Sequence, residues 1–164
     1  TELHHVENYM QMQRYITSQS IAFHMEVEPG LEEAQVPALC LQTFVENSCK
    51  YATVPGRGLE ISLEVRQLPS EEGGRLDAVI QDNGPGLSQE LLREFNGQVS
   101  FQYREDHIGV SNIRQRLQLL YGGDCGFACR NLAPGTEFEL IFPLQRKGLT
   151  TSKEAEKHES FSGG

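Results

Sequence analysis

The chain has 164 residues, a hydrophobic content of 38% and a formal net charge of −9 at pH 7. This length suits one domain with a real core and is too short for two comfortable ones. The acidic balance argues against nucleic acid as a partner, because phosphate backbones require Lys/Arg clusters and none is visible. No apolar run approaches the roughly 18 to 20 residues that cross a bilayer. We therefore expect a cytoplasmic acidic domain, although it could be cut from a longer membrane protein.

The predicted elements begin with an amphipathic helix over residues 1–18, where apolar residues recur at helical spacing. Loose alternation of apolar and polar residues predicts a half-buried strand from Ile21 to Glu28. Val36-Pro37 predicts the start of a second helix, because proline is favoured in a first helical turn. This second helix contains the stretch from Leu39 to Ala52, which carries several polar residues that could act in a functional site.

The rest of the chain alternates strands and helices before it turns polar. The chain is polar from Gln145 onward, and Thr150–Gly164 has almost nothing to bury, which predicts a disordered tail over residues 147–164. The predicted elements between these parts are strands at Leu59–Val65 and Leu76–Gln81, a helix at Gln89–Phe95, a loop over 96–107, a helix at Ile108–Tyr121, and strands at Cys125–Leu132 and Glu137–Phe142.

The four cysteines show neither CxxC spacing nor a neighbouring pair of histidines. If Cys125 and Cys129 share a strand, roughly 13 Å separates them, which is too far for a disulfide or a shared metal ion. We expect reduced, partly buried thiols at all four positions.

The second helix has a small or apolar stripe that can pack against a core. Its members recur at helical spacing: Leu41, Val45, Ser48 and Ala52, with Phe44 beside them.

Another face of this helix is polar. Thr43, Glu46, Asn47, Lys50 and Tyr51 recur at helical spacing, which places a carboxylate, an amide, an ammonium and a phenol along one face. Mg²⁺ prefers oxygen ligands and keeps several waters, so one or two side-chain oxygens plus substrate phosphates suffice to hold it. For an isolated helix, the simpler interpretation is a solvated face with a Glu46–Lys50 ion pair.

A second candidate segment is Asp82-Asn83-Gly84-Pro85-Gly86, at the end of a predicted strand. Its simple interpretation is a tight turn, since all these residue types favour turns. Its functional interpretation is a base-binding site. The carboxylate of Asp82 would accept a hydrogen bond from the exocyclic amine of adenine, while Gly84 and Gly86 would let the backbone approach a flat base.

Two further segments are ambiguous when each is taken alone. Gly109 stands at the head of a predicted helix, and helix N-termini offer free N–H groups and positive dipole to phosphates. An ordinary junction between a loop and a helix has the same pattern. Gly135-Thr136 precedes a predicted strand and is a hairpin turn by default, with a hydroxyl available to a ligand or its water.

The order of these four segments resembles the N, G1, G2 and G3 boxes of the GHKL superfamily, which comprises gyrase, the heat-shock chaperone ATPases, histidine kinases and MutL. Within it, Leu41–Tyr51, Glu2–Met10 and Asn112–Leu117 are most similar to the LytS/YesM-type sensor histidine kinases. The resemblance covers roughly residues 1–144. No P-loop is present, so nucleotide would be bound without a Walker lysine. The four boxes are Glu46-Asn47, Asp82–Gly86, Ile108–Asn112 and Gly135–Phe138.

The resemblance implies an α+β fold of the Bergerat (GHKL) type. This fold is a two-layer α/β sandwich with a mixed, mostly antiparallel sheet and helices on one face. It also implies three parts. Residues 1–18 would be the C-terminal end of a dimerisation and histidine helix region, residues 19–146 an ATP-binding catalytic domain, and residues 147–164 the tail.

The resemblance also implies ATP and Mg²⁺ as cofactors and assigns roles to single residues. Glu46, Asn47 and Lys50 would be catalytic: Asn47 would hold Mg²⁺, and Glu46 would orient water, act as a base or share the metal. Lys50 and Tyr51 would meet phosphate oxygens, and Asp82 would bind adenine. The other implied ATP-binding residues are Gly84, Gly86, Gly109, Val110 and Thr136.

The function implied is that of a protein-histidine kinase. The γ-phosphate of ATP would pass to a histidine upstream of this chain and then to a response regulator, in a homodimeric parent protein anchored in the inner or plasma membrane. The acceptor's usual His-Phe-Leu-Phe-Asn-like setting is not matched here, and neither His4 nor His5 is assigned that role.

A departure from the superfamily pattern leaves alternatives open. His107 stands where the G2 box usually has a glycine, which leaves the phosphate contacts of a lid over residues 88–108 in question. One alternative is a GHKL-type ATPase in which Glu46 activates a water. Another is a degenerate nucleotide-binding or docking module without catalysis.

Overall fold

The computed structural model describes residues 1–69, 73–99 and 108–146. The predicted tail, and residues 100–107 of the predicted loop and lid, lie outside these ranges. Within them the helices are α1 (Glu2–Ile16), α2 (Cys40–Tyr51), α3 (Gln89–Phe95) and α4 (Ile108–Tyr121), followed by a short 3-10 turn at Gly122–Asp124. The strands are β1 (Ile21–Val27), β2 (Ala34–Gln35), β3 (Leu59–Leu68), β4 (Arg75–Asp82), β5 (Gly126–Leu132), β6 (Gly135–Pro143) and β7 (Gln145–Arg146).

Five strands form one sheet in the order β1-β3-β4-β6-β5. β1 runs parallel to β3, and the other neighbouring pairs are antiparallel. The expected mixed, mostly antiparallel sheet is therefore confirmed. β4 lies at the centre, and its last residue, Asp82, is paired with Ile61 of β3 and Thr136 of β6. β2 and β7 form a separate antiparallel pair.

The helices cover one face of this sheet, as expected. Because side chains alternate along a strand, Phe138 and Phe142 of β6 point to the same face. Phe44 of α2 lies 5.0 Å from Phe138 between ring centroids, and Phe95 of α3 lies 6.2 Å from it. Tyr121 of α4 stacks on Phe142 at 6.2 Å. Helices α2, α3 and α4 thus share one aromatic core with the sheet.

The opposite face of the sheet carries polar and charged side chains. Glu137 of β6 accepts a hydrogen bond from the side chain of Gln81 of β4 at 2.5 Å. It also forms an ion pair with Arg130 of β5 at 2.5 Å. On β3, Arg66 and Glu64 form an ion pair at 2.7 Å. This division into an apolar face under helices and a polar face gives the two-layer α+β sandwich that the resemblance implied.

The start of α2 differs from the sequence prediction. Val36-Pro37 was expected to open the helix, but α2 begins at Cys40. Its N-cap residue, Leu39, has φ 60° and ψ 14°, a left-handed conformation that a right-handed helix cannot continue through. Pro37 instead lies in a turn, where its carbonyl accepts a hydrogen bond from the N–H of Cys40 at 3.2 Å.

The cysteines are free thiols, as expected. Cys40 and Cys129 are buried, and burial raises the pKa of each to about 12. Burial also raises the pKa of Cys49 to about 11. These thiols are protonated at neutral pH and behave as small apolar side chains.

Gly135→Ala is expected to lower the free energy of unfolding by about 3 kcal/mol or more. Gly135 has φ +113°, and a Cβ there would lie 1.7 Å from the carbonyl oxygen of Asp82. The control is Gly30→Ala, where φ is +93° but nothing lies within 4 Å of the added Cβ. That variant should cost only the backbone strain, about 1 kcal/mol. Equal losses in urea unfolding would contradict the close approach at Gly135.

Candidate functional site

The site is built around the carboxylate of Asp82, at the end of the central strand. Asp82 is only 7% exposed. Its Oδ2 accepts a hydrogen bond from the hydroxyl of Ser48 on α2 at 2.8 Å. Its Oδ1 accepts from the N–H of Gly84 at 2.9 Å and from the N–H of Thr136 at 3.2 Å. One side chain therefore joins α2, the loop after β4 and the start of β6.

Two segments of backbone pack closely beside this carboxylate, at Gly84 and at Thr136. A Cβ on Gly84 would lie 2.6 Å from both Cα and Cβ of Ala52, the C-cap residue of α2. Gly84 therefore lets the loop press against the end of the helix. Thr136 is 3% exposed, and its N–H is already bonded to Asp82. The Asp82, Gly84 and Thr136 that the sequence singled out are thus brought together directly.

The loop after Asp82 is tied to β5 by a side chain that the sequence argument did not select. The side-chain amide of Asn131 donates a hydrogen bond to the backbone carbonyl of Leu87 at 2.7 Å and accepts one from the backbone N–H of Leu87 at 2.8 Å. Gly86, with φ +80°, lies against this amide, since a Cβ would meet its oxygen at 3.0 Å. Asn131 thereby fixes the conformation of the loop that carries Gly84 and Gly86.

The predicted polar face of α2 is only partly exposed. Asn47 is 8% exposed and Ser48 is 1% exposed. The carboxylate of Glu46 accepts a hydrogen bond from the side-chain amide of Gln42 at 2.8 Å. Lys50 and Tyr51, at the end of the helix, are exposed. The i,i+4 partner of Glu46 found in the structure is therefore Gln42.

Ser48 corrects the sequence interpretation of this helix. The sequence pattern placed it in the small and apolar stripe that packs, and it is indeed buried. Its hydroxyl, however, donates a hydrogen bond to the carboxylate of Asp82. The signal available in the sequence was its place directly after Asn47. Two residues that the resemblance assigns to opposite ends of the nucleotide, Asn47 and Asp82, are therefore linked through one hydrogen bond and one peptide.

The head of α4 approaches the same helix from another direction. A Cβ on Gly109 would lie 2.9 Å from the methyl group of Thr43 on α2. Val110 is 1% exposed and packs in the core. Only its backbone could meet a ligand. Gly109 thus borders α2 near the polar face, whereas the side chain of Val110 does not reach it.

The donor set beside α2 suits Mg²⁺ only together with a substrate. In the described part of the chain, no three His, Cys, Asp or Glu side chains are grouped so that they could hold a metal. Glu46 and Asn47 offer a carboxylate and an amide oxygen on adjacent residues. Mg²⁺ keeps several waters and accepts one or two protein oxygens plus phosphates. These two residues fit an ion that arrives with phosphates.

Burial raises the pKa of Asp82 above its ordinary value, although its three hydrogen bonds act in the opposite direction. When the pKa of a carboxyl is higher in the folded state than in the unfolded chain, the free energy of unfolding of the protein falls as the pH rises between the two pKa values. Above the folded pKa the loss is complete and constant. Asp82 therefore stabilises this fold less at neutral pH than at acidic pH.

Asp82→Asn should remove this dependence, because the amide oxygen still accepts hydrogen bonds and carries no charge. The unfolding free energy of the variant minus that of the wild type is expected to rise from about pH 4 upward and then level off. Urea unfolding across this pH range measures it. The exposed Asp124→Asn controls for the loss of one negative charge. The same pH course in both variants would contradict the burial argument.

The chain is similar in sequence to known proteins. Residues 33–146 match the family described as histidine kinase-, DNA gyrase B-, and HSP90-like ATPase. The sensor histidine kinase YesM of Bacillus subtilis (strain 168) is 28% identical over 144 residues, which are 87% of this chain and 23% of YesM. The sensor protein LytS of Bacillus cereus is 27% identical over 143 residues, covering 87% of this chain and 24% of LytS. The chain thus spans about a quarter of the length of these relatives.

Solved structures agree with the fold. The catalytic domain of histidine kinase ThkA superposes with a TM-score of 0.64 at 18% identity, covering 87% of this chain and 92% of that domain. ThkA in complex with the response regulator protein TrrA matches with a TM-score of 0.59 at 19% identity, covering 85% of this chain and 39% of that chain. Among the described helices, none has the length and apolar character needed to span a membrane. The match over residues 33–146, on this fold and this site, shows that the chain belongs to the family of histidine kinase-, DNA gyrase B-, and HSP90-like ATPases.

Proposed function

We propose that this chain is the ATP-binding catalytic domain of a LytS/YesM-type sensor histidine kinase. It would transfer the γ-phosphate of ATP to a histidine on an upstream dimerisation helix, for relay to a response regulator. The observation that carries this proposal is the hydrogen bond of 2.8 Å between Ser48 and Asp82, which joins the predicted base-binding strand end to the helix with the predicted Mg²⁺ ligand. The named relatives YesM and LytS support the choice of kinase subfamily.

Asp82 would recognise adenine. An ionised carboxylate has about four acceptor positions, and three are used by Ser48, Gly84 and Thr136. The remaining position would accept the N–H of the exocyclic amine of adenine. Guanine carries a carbonyl oxygen at the corresponding place, so it would oppose the carboxylate with a second acceptor. This difference gives selectivity for ATP over GTP.

Asn47 and Glu46 would act at the phosphate end. Bound Mg²⁺ would neutralise phosphate charge during in-line transfer, for which positioning and charge neutralisation supply most of the catalysis. Asn47 would hold the ion through its amide oxygen, and Glu46 would orient water, act as a base or share the ion. Lys50 and Tyr51, exposed on the last turn of α2, would contact phosphate oxygens. The backbone of Gly109 and Val110 would complete the phosphate contacts.

The partners and location of the parent protein are part of the proposal. Residues 1–18 would belong to the end of a dimerisation and histidine helix region. The parent would be a homodimer anchored in the inner or plasma membrane, with this domain in the cytoplasm. ThkA has been solved with the response regulator TrrA, which supports a response regulator as the final phosphate acceptor here.

Nucleotide titration by calorimetry tests the two ends of the site separately. Asp82→Asn is expected to reduce the ratio of ATP to GTP affinity by about tenfold or more, because the amide presents a donor to the donor on adenine. Asn47→Ala should remove the gain in ATP affinity that Mg²⁺ provides, while leaving Mg²⁺-free affinity nearly unchanged. Asn8→Ala on the exposed face of α1 is the control. A wild-type chain without ATP affinity would favour the non-catalytic docking alternative.

Transfer of labelled γ-phosphate distinguishes the kinase from the ATPase alternative. The chain is mixed with a polypeptide that contains the upstream histidine helix of the parent protein, in the presence of ATP and Mg²⁺. We expect label on histidine and little hydrolysis without that helix. Steady ATP turnover that is abolished by Glu46→Gln, and is unaffected by the exposed Glu7→Gln, would instead indicate the GHKL-type ATPase.

A further inference from the structure

A carboxylate from α1 caps the first turn of α2. The first N–H groups of any helix lack partners within it, and the N-cap residue of α2, Leu39, makes no side-chain hydrogen bond to them. Glu2 supplies the acceptors: its Oε2 accepts from the N–H of Leu39 at 2.8 Å and its Oε1 from the N–H of Gln42 at 3.1 Å. The side chain of Glu2 is only 2% exposed. Such a cap normally comes from the N-cap residue itself.

The peptide between Ala38 and Leu39 is held from both sides. Its N–H donates to Glu2 of α1, and its carbonyl accepts a hydrogen bond from the guanidinium of Arg116 on α4 at 2.7 Å. Leu39 is the non-glycine residue with positive φ in the described ranges. That conformation is unfavourable for a leucine and persists only where surrounding contacts impose it. We call the contacts of Glu2 and Arg116 with this peptide the α2 clamp.

The clamped turn leads to the predicted phosphate end. The hydroxyl of Thr43 donates to the carbonyl of Leu39 at 2.6 Å. The methyl group of the same Thr43 lies against Gly109, since a Cβ there would approach it to 2.9 Å. Gln42, whose N–H is bonded to Glu2, donates through its side chain to Glu46 at 2.8 Å. Opening the first turn of α2 would therefore disturb both Glu46 and the position of the head of α4.

Space for such an opening exists beside the clamp. A cavity of about 520 Å³ borders Glu2 and Arg116, with Glu33, Pro37, Leu120 and Tyr121 among the other lining residues. The carboxylate of Glu2 could therefore leave the first turn of α2 through this space. The Glu2 side of the clamp is buried, whereas the hydrogen bond from Arg116 to Ala38 is exposed.

We propose that Glu2 is a positioning residue that makes nucleotide affinity depend on the position of α1. With Glu2 in place, the first turn of α2 is formed and Glu46, Asn47 and Gly109 keep their places. When α1 moves, the peptide at Leu39 loses its acceptor, the strained turn relaxes, and the phosphate end of the site loosens. This inference rests on the proposed function, since it assigns the Mg²⁺ and phosphate end to α2.

The clamp itself is tested without nucleotide, by amide hydrogen exchange in Glu2→Ala, Glu2→Gln and the exposed control Glu7→Gln. In Glu2→Ala, exchange at Leu39 and Gln42 should accelerate by about tenfold or more, and Glu2→Gln should fall between it and the wild type because its amide retains one oxygen acceptor. Glu7→Gln should match the wild type. Unchanged exchange in Glu2→Ala overturns the proposal. If Glu2→Ala does not fold, Glu2→Gln carries the test.

ATP titration then tests the coupling. Glu2→Ala should bind ATP·Mg²⁺ about fivefold to twentyfold more weakly, with an unchanged preference for ATP over GTP, because the Asp82 end is untouched. Adding Leu39→Gly, which removes the strain of the left-handed leucine, should restore part of the affinity. Faster exchange with unchanged ATP affinity overturns the coupling. Absence of ATP binding in the wild type refutes the proposed function. The α2 clamp is tested separately, by the amide hydrogen exchange of Leu39 and Gln42.

Discussion

The buried carboxylate of Asp82 is the constraint on which the site depends. A carboxylate can be buried only where hydrogen bonds replace its lost water, and here the donors come from Ser48, Gly84 and Thr136. These three residues belong to α2, the loop after β4 and the start of β6. Removing any donor leaves the carboxylate with one hydrogen bond fewer to replace its lost water, so burial of Asp82 favours the convergence of these three segments. The same convergence would place the proposed base-binding end beside the helix that carries the proposed Mg²⁺ ligand.

The glycines of the site follow from that convergence. Gly135 lies so close to the carbonyl of Asp82 that no Cβ fits between them, and a Cβ on Gly84 would also clash, with Ala52 at the end of α2. In each place two backbone segments meet where a side chain would hold them apart. Gly86 differs, because the atoms nearest to a Cβ there belong to the side chain of Asn131 and not to backbone. The two glycines nearest the carboxylate therefore serve close packing of backbone as much as approach of a ligand.

The sequence predicted the parts of this molecule that local periodicity controls. The alternation along β3 and the apolar stripe of α4 predicted those elements, and the four boxes predicted which segments meet. The start of α2 was predicted wrongly, because Pro37 is a local signal whereas the true cap comes from Glu2, far away in the chain. Ser48 was assigned to packing for the same reason: its partner, Asp82, lies 34 positions away. Interactions between distant residues leave no periodicity to detect.

Helix α2 is held at its two ends by different kinds of neighbour. Near its C-terminus it is bonded to the sheet through Ser48 and pressed against the loop at Ala52. At its N-terminus it depends on Glu2 and Arg116, which belong to the helices α1 and α4. The C-terminal end of α2 cannot shift without exposing the buried carboxylate of Asp82. The N-terminal end can shift when α1 or α4 moves. The proposed nucleotide site would therefore vary its affinity for phosphate with the position of these two helices, while its recognition of the base would stay fixed.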